Sequence, residues 1–244
     1  MKRFFINNII LQKNSTYELT KDEYNYIVNV MRLRQGDEIV LNNNTEYDFF
    51  CVIKEVQKNK LVIEVKQEVK NKNEPKINLT VCQALVKGDK FELITQKIVE
   101  LGANALIPFT STFTVVKDNT QKTERLQKIA EQASSQCGRS KTLQIEEIVS
   151  IKNLPSLLKE YDLVLLAYEN DTTSLSKTLT EYKTAKNIAL IVGSEGGFSV
   201  DEVEFLKANV KNIKTVSLGS RILRAETASI ALTTVIMYEL GELS

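Results

Sequence analysis

From Ile77 to the C-terminus, short and solidly apolar runs alternate with segments of helical period, and this alternation constrains the fold more than any other feature. The runs are INLTVCQALV (Ile77 to Val86), ALIPF (Ala105 to Phe109), DLVLLAY (Asp162 to Tyr168), NIALIVG (Asn187 to Gly193) and TVSLG (Thr215 to Gly219). Between them, positions such as Leu126, Ile129, Ala130, Ala133 and Cys137 place apolar residues on one helical face. A strand that is apolar at every position has both faces covered, which is the habit of a parallel sheet in an α/β protein. In open sheets of that kind ligands bind beyond the carboxyl ends of the strands, so the loops after these runs are where a site is expected.

Residues before this region have a different grammar. RFFI (Arg3 to Ile6), EIVL (Glu38 to Leu41), YDFFCVIKEV (Tyr47 to Val56) and KLVIEV (Lys60 to Val65) are β-branched or aromatic runs separated by polar turns. Tyr24, Ile27, Val28 and Met31 fall on one face of a single predicted helix that Gly36-Asp37 ends. Several strands with one helix suggest a small barrel. The polar, proline-terminated KNKNEP (Lys70 to Pro75) marks the boundary, giving expected domains of residues 1–72 and 73–244.

Composition excludes much chemistry. The 244 residues contain no histidine, which removes Ser-His-Asp and Cys-His hydrolases and H-E-x-x-H metalloproteases. Cys51, Cys82 and Cys137 are odd in number and contain no C-x-x-C pair, so neither a disulfide framework nor a zinc ribbon is expected and a reducing cytoplasm is. No apolar run approaches the ~18 residues of a membrane span, and no small-residue cleavage site follows the short basic and apolar start, so neither membrane nor secretion is expected. Residues 1–76 carry 13 Lys and Arg against 11 Asp and Glu, and the remainder 19 against 20, so a nucleic-acid partner would have to be met by local basic patches.

Two loops stand out. Gly193-Ser-Glu-Gly-Gly197 follows NIALIVG and precedes Ser199-Val-Asp-Glu202, a capping box that opens a helix. It is neither a P-loop nor G-x-G-x-x-G. Its glycines serve either a tight turn or the close approach of a flat, hydrogen-bonding ligand such as adenine. In SLGSRILRAETASIAL (Ser217 to Leu232), Arg221 and Arg224 flank an apolar pair at a strand end, with a helix expected near Glu226. The two arginines are either solvated charges or contacts for an anion.

Taken together, VGSEGGFS (Val192 to Ser199) and LGSRILRAETA (Leu218 to Ala228) resemble the paired C-terminal motifs of the RsmE family, knotted RNA methyltransferases of the SPOUT superfamily. RFF at Arg3, VMRLRQGD at Val30, ALVKGDKFE at Ala84, QKIVELG at Gln96 and QCGR at Gln136 agree in order and spacing, so the resemblance covers nearly the whole chain. It implies an N-terminal PUA-like β-barrel that grips RNA, and a C-terminal SPOUT-type parallel sheet closed by a trefoil knot, a topology that periodicity alone never suggests. It also implies methyl transfer from S-adenosylmethionine to N3 of a uridine in small-subunit ribosomal RNA, within an assembled or assembling subunit, by a cytoplasmic homodimer. Carried over by position, Leu166, Gly193, Glu195, Gly196, Gly197, Leu218, Gly219 and Leu223 would surround the cofactor. Arg3, Arg32, Arg34 and Arg139 would contact RNA, with Lys87 a lesser candidate.

For chemistry the expectation is that Arg224 stabilises the developing uridinate or an adjacent phosphate, while Glu226 orients a base or accepts the proton through water. Transfer from a sulfonium is an in-line displacement that requires no metal site. Two departures from the family pattern are visible: Asn25 and Tyr26 stand where histidines are frequent, and Ser194 where proline is common. A SPOUT enzyme for another RNA position, and a ribosome-assembly factor that binds RNA without catalysis, are the competing readings. A dinucleotide oxidoreductase lacks its fingerprint.

Overall fold

A computed structural model describes residues 1–6, 9–115, 121–171 and 173–243. The chain divides into two compact units, Met1–Glu74 with Ser134–Thr142, and Pro75–Ala133 with Leu143–Ser244.

The first unit contains β1 (Lys2–Phe5), β2 (Thr16–Leu19), the single turn α1 (Lys21–Tyr24), β3 (Glu38–Asn42), β4 (Tyr47–Gln57) and β5 (Lys60–Lys70). They form one five-stranded sheet ordered β1-β3-β4-β5-β2, antiparallel except for the β1 and β3 pair. Alternate residues of these strands, among them Phe4, Ile39, Leu41, Phe49, Ile53, Leu61 and Ile63, meet in one buried cluster. The strand β2 was not legible in TYEL, whose four residues carry too little apolar pattern. The predicted helix also differs. A Thr20 and Glu23 capping box starts α1, but after one turn the coil widens into a π-helix at Asn25–Val30, with Met31 N–H bonded five residues back to the Tyr26 carbonyl. Arg32 follows at a left-handed φ of 58°, which costs energy for a residue with a Cβ.

What fixes this unit is a buried polar network. Asp48, 8% exposed, accepts both guanidinium branches of Arg3 and the side-chain amides of Asn42 and Asn71. Asn71 and Asn73 both donate to the Gly138 carbonyl at 3.0 Å, and Glu74 takes the Arg139 guanidinium at 3.0 Å together with the Ser140 and Lys141 N–H groups. Thus Ser134–Thr142 is bound to this unit by hydrogen bonds to groups that would otherwise be desolvated and unpaired.

After the first unit's strands, β6 (Asn78–Ala84), α2 (Lys90–Glu100), β7 (Ala105–Thr110), α3 (Gln121–Cys137), β8 (Gln144–Ile145), β9 (Val149–Ser150), α4 (Leu154–Leu157), β10 (Leu163–Ala167), α5 (Leu175–Glu181), β11 (Asn187–Val192), α6 (Val200–Asn209), β12 (Ile213–Val216) and α7 (Ala225–Glu239) follow in order, all in the second unit except the end of α3 from Ser134, which belongs to the first. The expected α/β architecture is found: the sheet runs β12-β10-β11-β6-β7-β8, with β9 also on β7, and every pairing is parallel. Successive residues of β11 serve opposite faces. Ala189 and Ile191 pack with Val203 and Leu206 of α6, whereas Ile188 and Leu190 pack with Leu175 of α5 and Leu232 and Ile236 of α7. Among the described residues, no helix is long and apolar enough to cross a membrane.

Burial raises the Asp48 pKa, but the hydrogen bonds from Arg3, Asn71 and Asn42 outweigh it and hold the carboxyl below its ordinary value. A lowered folded value means that the stabilisation is fully present above the unfolded pKa and is lost as pH falls through the folded one. Asp48→Asn should therefore cost about 3 kcal/mol at neutral pH by leaving the Arg3 charge uncompensated. In urea unfolding the gap between wild type and variant should close as pH is lowered from about 5 to about 2; a gap independent of pH would refute the assignment.

Candidate active site

The loops that follow β10, β11 and β12 converge on one cavity of about 500 Å³ at the carboxyl ends of these adjacent strands. Its walls are Ala167 to Glu169, Val192 to Phe198, and Val216 to Ala225 without Ser220, with Lys90 and Ala228 completing it. The position is the one expected for a ligand in an open parallel sheet.

The glycine loop is shaped by its neighbours. Gly197 N–H donates to the Ser194 carbonyl at 3.0 Å to close the turn, and Gly197 alone of its three glycines has a positive φ, 67°. A Cβ on Gly193 would lie 3.2 Å from the Gly197 backbone, and one on Gly196 would lie 2.7 Å from the Cβ of Phe113. Small size at these two positions is therefore a packing requirement as well as a means of ligand approach. Ser194 donates its hydroxyl to the Phe113 carbonyl at 3.3 Å, a tether that proline could not make. The capping box read from Ser199 and Glu202 is present, and Glu202 also accepts the Thr112 N–H at 2.7 Å.

Beneath the loop lies Gln83, wholly buried on β6. Its amide donates to the Gly193 carbonyl at 3.1 Å and to the Ala84 carbonyl at 3.0 Å, while its oxygen accepts the hydroxyl of Ser229, itself buried on α7. A second stitch joins the loop after β10 to β12: Tyr168 N–H donates to Val216 at 3.0 Å, and Asp171 accepts the Thr173 N–H and the Thr215 hydroxyl.

Of the residues predicted from sequence, Gly193, Glu195, Gly196, Gly197, Leu218, Gly219, Leu223 and Arg224 all line the cavity. Leu166 does not. It is wholly buried in the sheet core, and the next residues, Ala167 to Glu169, form the wall instead. The strand read as TVSLG stops at Val216, which releases Leu218 and Gly219 into the loop. Arg224 is the exposed N-cap of α7, whose carbonyl accepts the first helical N–H, from Ala228, at 2.8 Å. Glu226 is on the first turn of α7 and is not part of the cavity wall; its carboxylate lies 3.7 Å from Lys90 Nζ, with Oε2 buried and without a hydrogen-bond partner.

Lys90 is the residue that sequence reasoning passed over, although it stands within the ALVKGDKFE motif. Its ammonium is 3.4 Å from Glu195 Oε1, which also accepts the Lys87 N–H at 3.1 Å. Burial raises the Glu195 pKa, but its own backbone N–H, that of Lys87 and the Lys90 ammonium together hold it below the ordinary carboxylate value. Outside this cleft, Arg32 and Arg34 are exposed, whereas in the first unit Arg139 is buried and Arg3 partly buried, engaged by Glu74 and Asp48 respectively. Among the described residues no group of Cys, Asp and Glu is arranged to hold a metal ion.

A cleft at the ends of parallel strands, walled by a glycine loop and an arginine-bearing loop, is a small-molecule site of the open α/β class. Residues 72–237 match the family model described as an RNA methyltransferase domain, and residues 19–66 that described as an RNA methyltransferase PUA domain. Ribosomal RNA small subunit methyltransferase E of Bacillus subtilis is 32% identical over 98% of this chain and 97% of its own length; that of Rickettsia conorii is 36% identical over 93% and 91%. The crystal structure of the Neisseria gonorrhoeae ribosomal RNA small subunit methyltransferase E bound to S-adenosyl methionine superposes with a TM-score of 0.91 at 25% identity, covering all of both chains. The chain belongs to the ribosomal RNA small subunit methyltransferase E family, the RsmE family that its motifs resemble.

Replacing Gln83 by Leu leaves the Gly193 carbonyl and the Ser229 hydroxyl without partners inside the core. Each such loss costs about 1–3 kcal/mol, so Gln83→Leu should lower the urea midpoint of the protein clearly at unchanged slope. An unaltered midpoint would show that the buried amide does not hold the loop.

Proposed function

We propose that this chain transfers a methyl group from S-adenosylmethionine to N3 of a uridine in small-subunit ribosomal RNA. The observation that carries the reading is the convergence of the loops after β10, β11 and β12 on a single cavity of about 500 Å³, a size within the range of small-molecule sites. The residues present fit the donor. The glycine loop and the Leu218 to Leu223 segment offer backbone N–H and C=O groups beside apolar Ala167, Val192 and Val216, and Lys90, Arg221 and Arg224 supply positive charge for an anionic group, the donor's carboxylate or an RNA phosphate. When bound, S-adenosylmethionine supplies an electrophilic methyl group.

The chain itself must promote loss of the N3 proton and aim the nitrogen. Arg224, exposed on the cavity wall, stabilises the developing uridinate or an adjacent phosphate. Glu226 acts through Lys90, which lines the cavity and lies 3.7 Å from its carboxylate. In the RNA-binding role proposed for residues 1–72 as a PUA-like barrel, Arg32 and Arg34 are the exposed cations that meet phosphate, while Arg3 and Arg139 serve by holding the fold. Residues 73–244 form the SPOUT domain, in which the segment after β12 is threaded as a trefoil knot. Two copies pair as a homodimer in the cytoplasm, using apolar surface left on α7.

Mass mapping of ribosomal RNA from cells lacking this protein, before and after incubation with the protein and S-adenosylmethionine, tests the reading. Wild type should restore one methyl group to a uridine. Arg224→Ala should slow single-turnover methylation by about 100-fold at saturating donor, with donor affinity retained. No gain of a methylated uridine with wild type would overturn the proposal, and a near-normal Arg224→Ala rate would remove that residue from the chemistry.

A further inference from the structure

The loop after β7 carries an aromatic side chain that neither the core nor the donor cavity uses. Phe113 is 45% exposed, lies outside the cavity wall and, among the described residues, has no second ring stacked on it. Exposure of one apolar side chain is commonplace; what sets Phe113 apart is how firmly it is held. Thr112 N–H donates to Glu202 at 2.7 Å, the Phe113 carbonyl accepts the Ser194 hydroxyl at 3.3 Å, and Ser111 N–H donates to the Thr114 hydroxyl at 2.8 Å. The side chain rests on bare backbone, since a Cβ on Gly196 would lie 2.7 Å from Phe113 Cβ and 3.3 Å from its Cγ. Gly196 is itself a wall of the cavity, so a single residue separates Phe113 from the site of the methyl donor. Lys87 is exposed on the loop after β6, and its N–H is bound to Glu195, the neighbour of Gly196. Arg221 and Arg224 are exposed on the loop after β12.

We infer that Phe113 is a stacking platform for an unpaired base of the RNA substrate beside the target uridine, outside the donor cavity, with Lys87, on a loop bound to the same glycine turn, meeting phosphate. The inference rests on RNA being the substrate and adds which surface grips it next to the cleft. A base inside a stack cannot present N3 to a methyl group held in a cavity, so the target has to swing out and its neighbour loses a stacking partner. A ring fixed beside the cavity replaces that partner and leaves N3 of the target free. Every base has a π-face, so the platform accepts whichever neighbour the sequence supplies. Because the ring is already held, little freedom is lost when a base settles on it. Cations on the adjoining loops supply charge for the backbone, and an aromatic face with positive charge around it is what a single strand requires.

Binding to small ribosomal subunits purified from cells lacking this protein provides the test, with each variant saturated with S-adenosylhomocysteine so that no turnover occurs. Phe113→Ala should weaken binding by about tenfold. Phe113→Leu keeps the apolar packing on Gly196 but has no π-face, so it should also lose at least about fivefold, whereas Phe113→Trp should stay within about twofold of wild type. Lys87→Ala should weaken binding and reduce its salt dependence by about one phosphate contact. Calorimetric affinity for S-adenosylmethionine should stay within about threefold in all four, a readout that a collapsed glycine loop would not leave intact. Wild-type affinity in Phe113→Leu, or donor affinity falling in step with subunit binding, overturns the inference. So does a changed oligomeric mass in Phe113→Ala by light scattering, which would assign the ring to a contact between copies of this chain. A wild-type protein that binds the subunits but methylates no uridine overturns the proposed function and leaves the platform standing; one that does not bind them overturns both.

Discussion

The structure of the second unit turns on one buried amide. Gln83 sits near the end of β6, paired in register with Val192 of β11 on one side and Pro108 of β7 on the other, in a mostly apolar part of the sheet. A wholly buried amide is tolerated only when its donors and acceptor are used. Gln83 uses them on the Ala84 and Gly193 carbonyls and the Ser229 hydroxyl, and so ties the central strand to the first residue of the glycine loop and to α7. The consequence is a loop whose position is set by the core. Phe198 continues the same constraint by stacking on Phe109 at 6.3 Å, and Phe113 closes over Gly196. A cleft fixed in this way requires little ordering when a ligand enters, which favours affinity and alignment alike.

Charge in this protein is spent in two ways. Inside the first unit, Arg3 and Arg139 are matched to Asp48 and Glu74 with nearly all of their surface removed from water. A guanidinium suits this use because its planar fork engages a carboxylate through two bonds. On the surface of the same unit, Arg32 and Arg34 follow the π-helical turn, and the left-handed backbone at Arg32 ends that turn abruptly. Strain of this kind persists where surrounding structure imposes it, and it is common at functional segments. Four arginines that look alike in a motif list thus divide into two that build and two that face solvent.

Much of the architecture was legible because it follows from periodicity. The apolar runs became β6, β7, β10, β11 and β12, and Leu126 to Cys137 lie in α3, since burial on both faces leaves few ways to arrange such a sequence. The capping box at Ser199 was readable from four residues. What escaped were features decided by contacts distant in sequence. Gln83 looks unremarkable in a strand until Gly193, 110 residues away, is placed against it. Lys90 became part of the cleft only when α2, the glycine loop and α7 were brought together, and Leu166 was displaced from it by the simple fact that a strand residue facing the core cannot also face the cavity. The π-helical turn has no signature in side-chain spacing, since Ile27 and Val28 fit an ordinary helix equally well.

The central claim is that the loops after β10, β11 and β12, completed by Lys90 of α2 and Ala228 of α7, form the methyl-donor cleft. Hydrogen exchange with and without saturating S-adenosylmethionine tests it most directly. The account predicts added protection concentrated in residues 167–169, 193–198 and 217–225, with the remaining backbone nearly unchanged. Protection that leaves these three segments untouched, or that centres elsewhere, would contradict it.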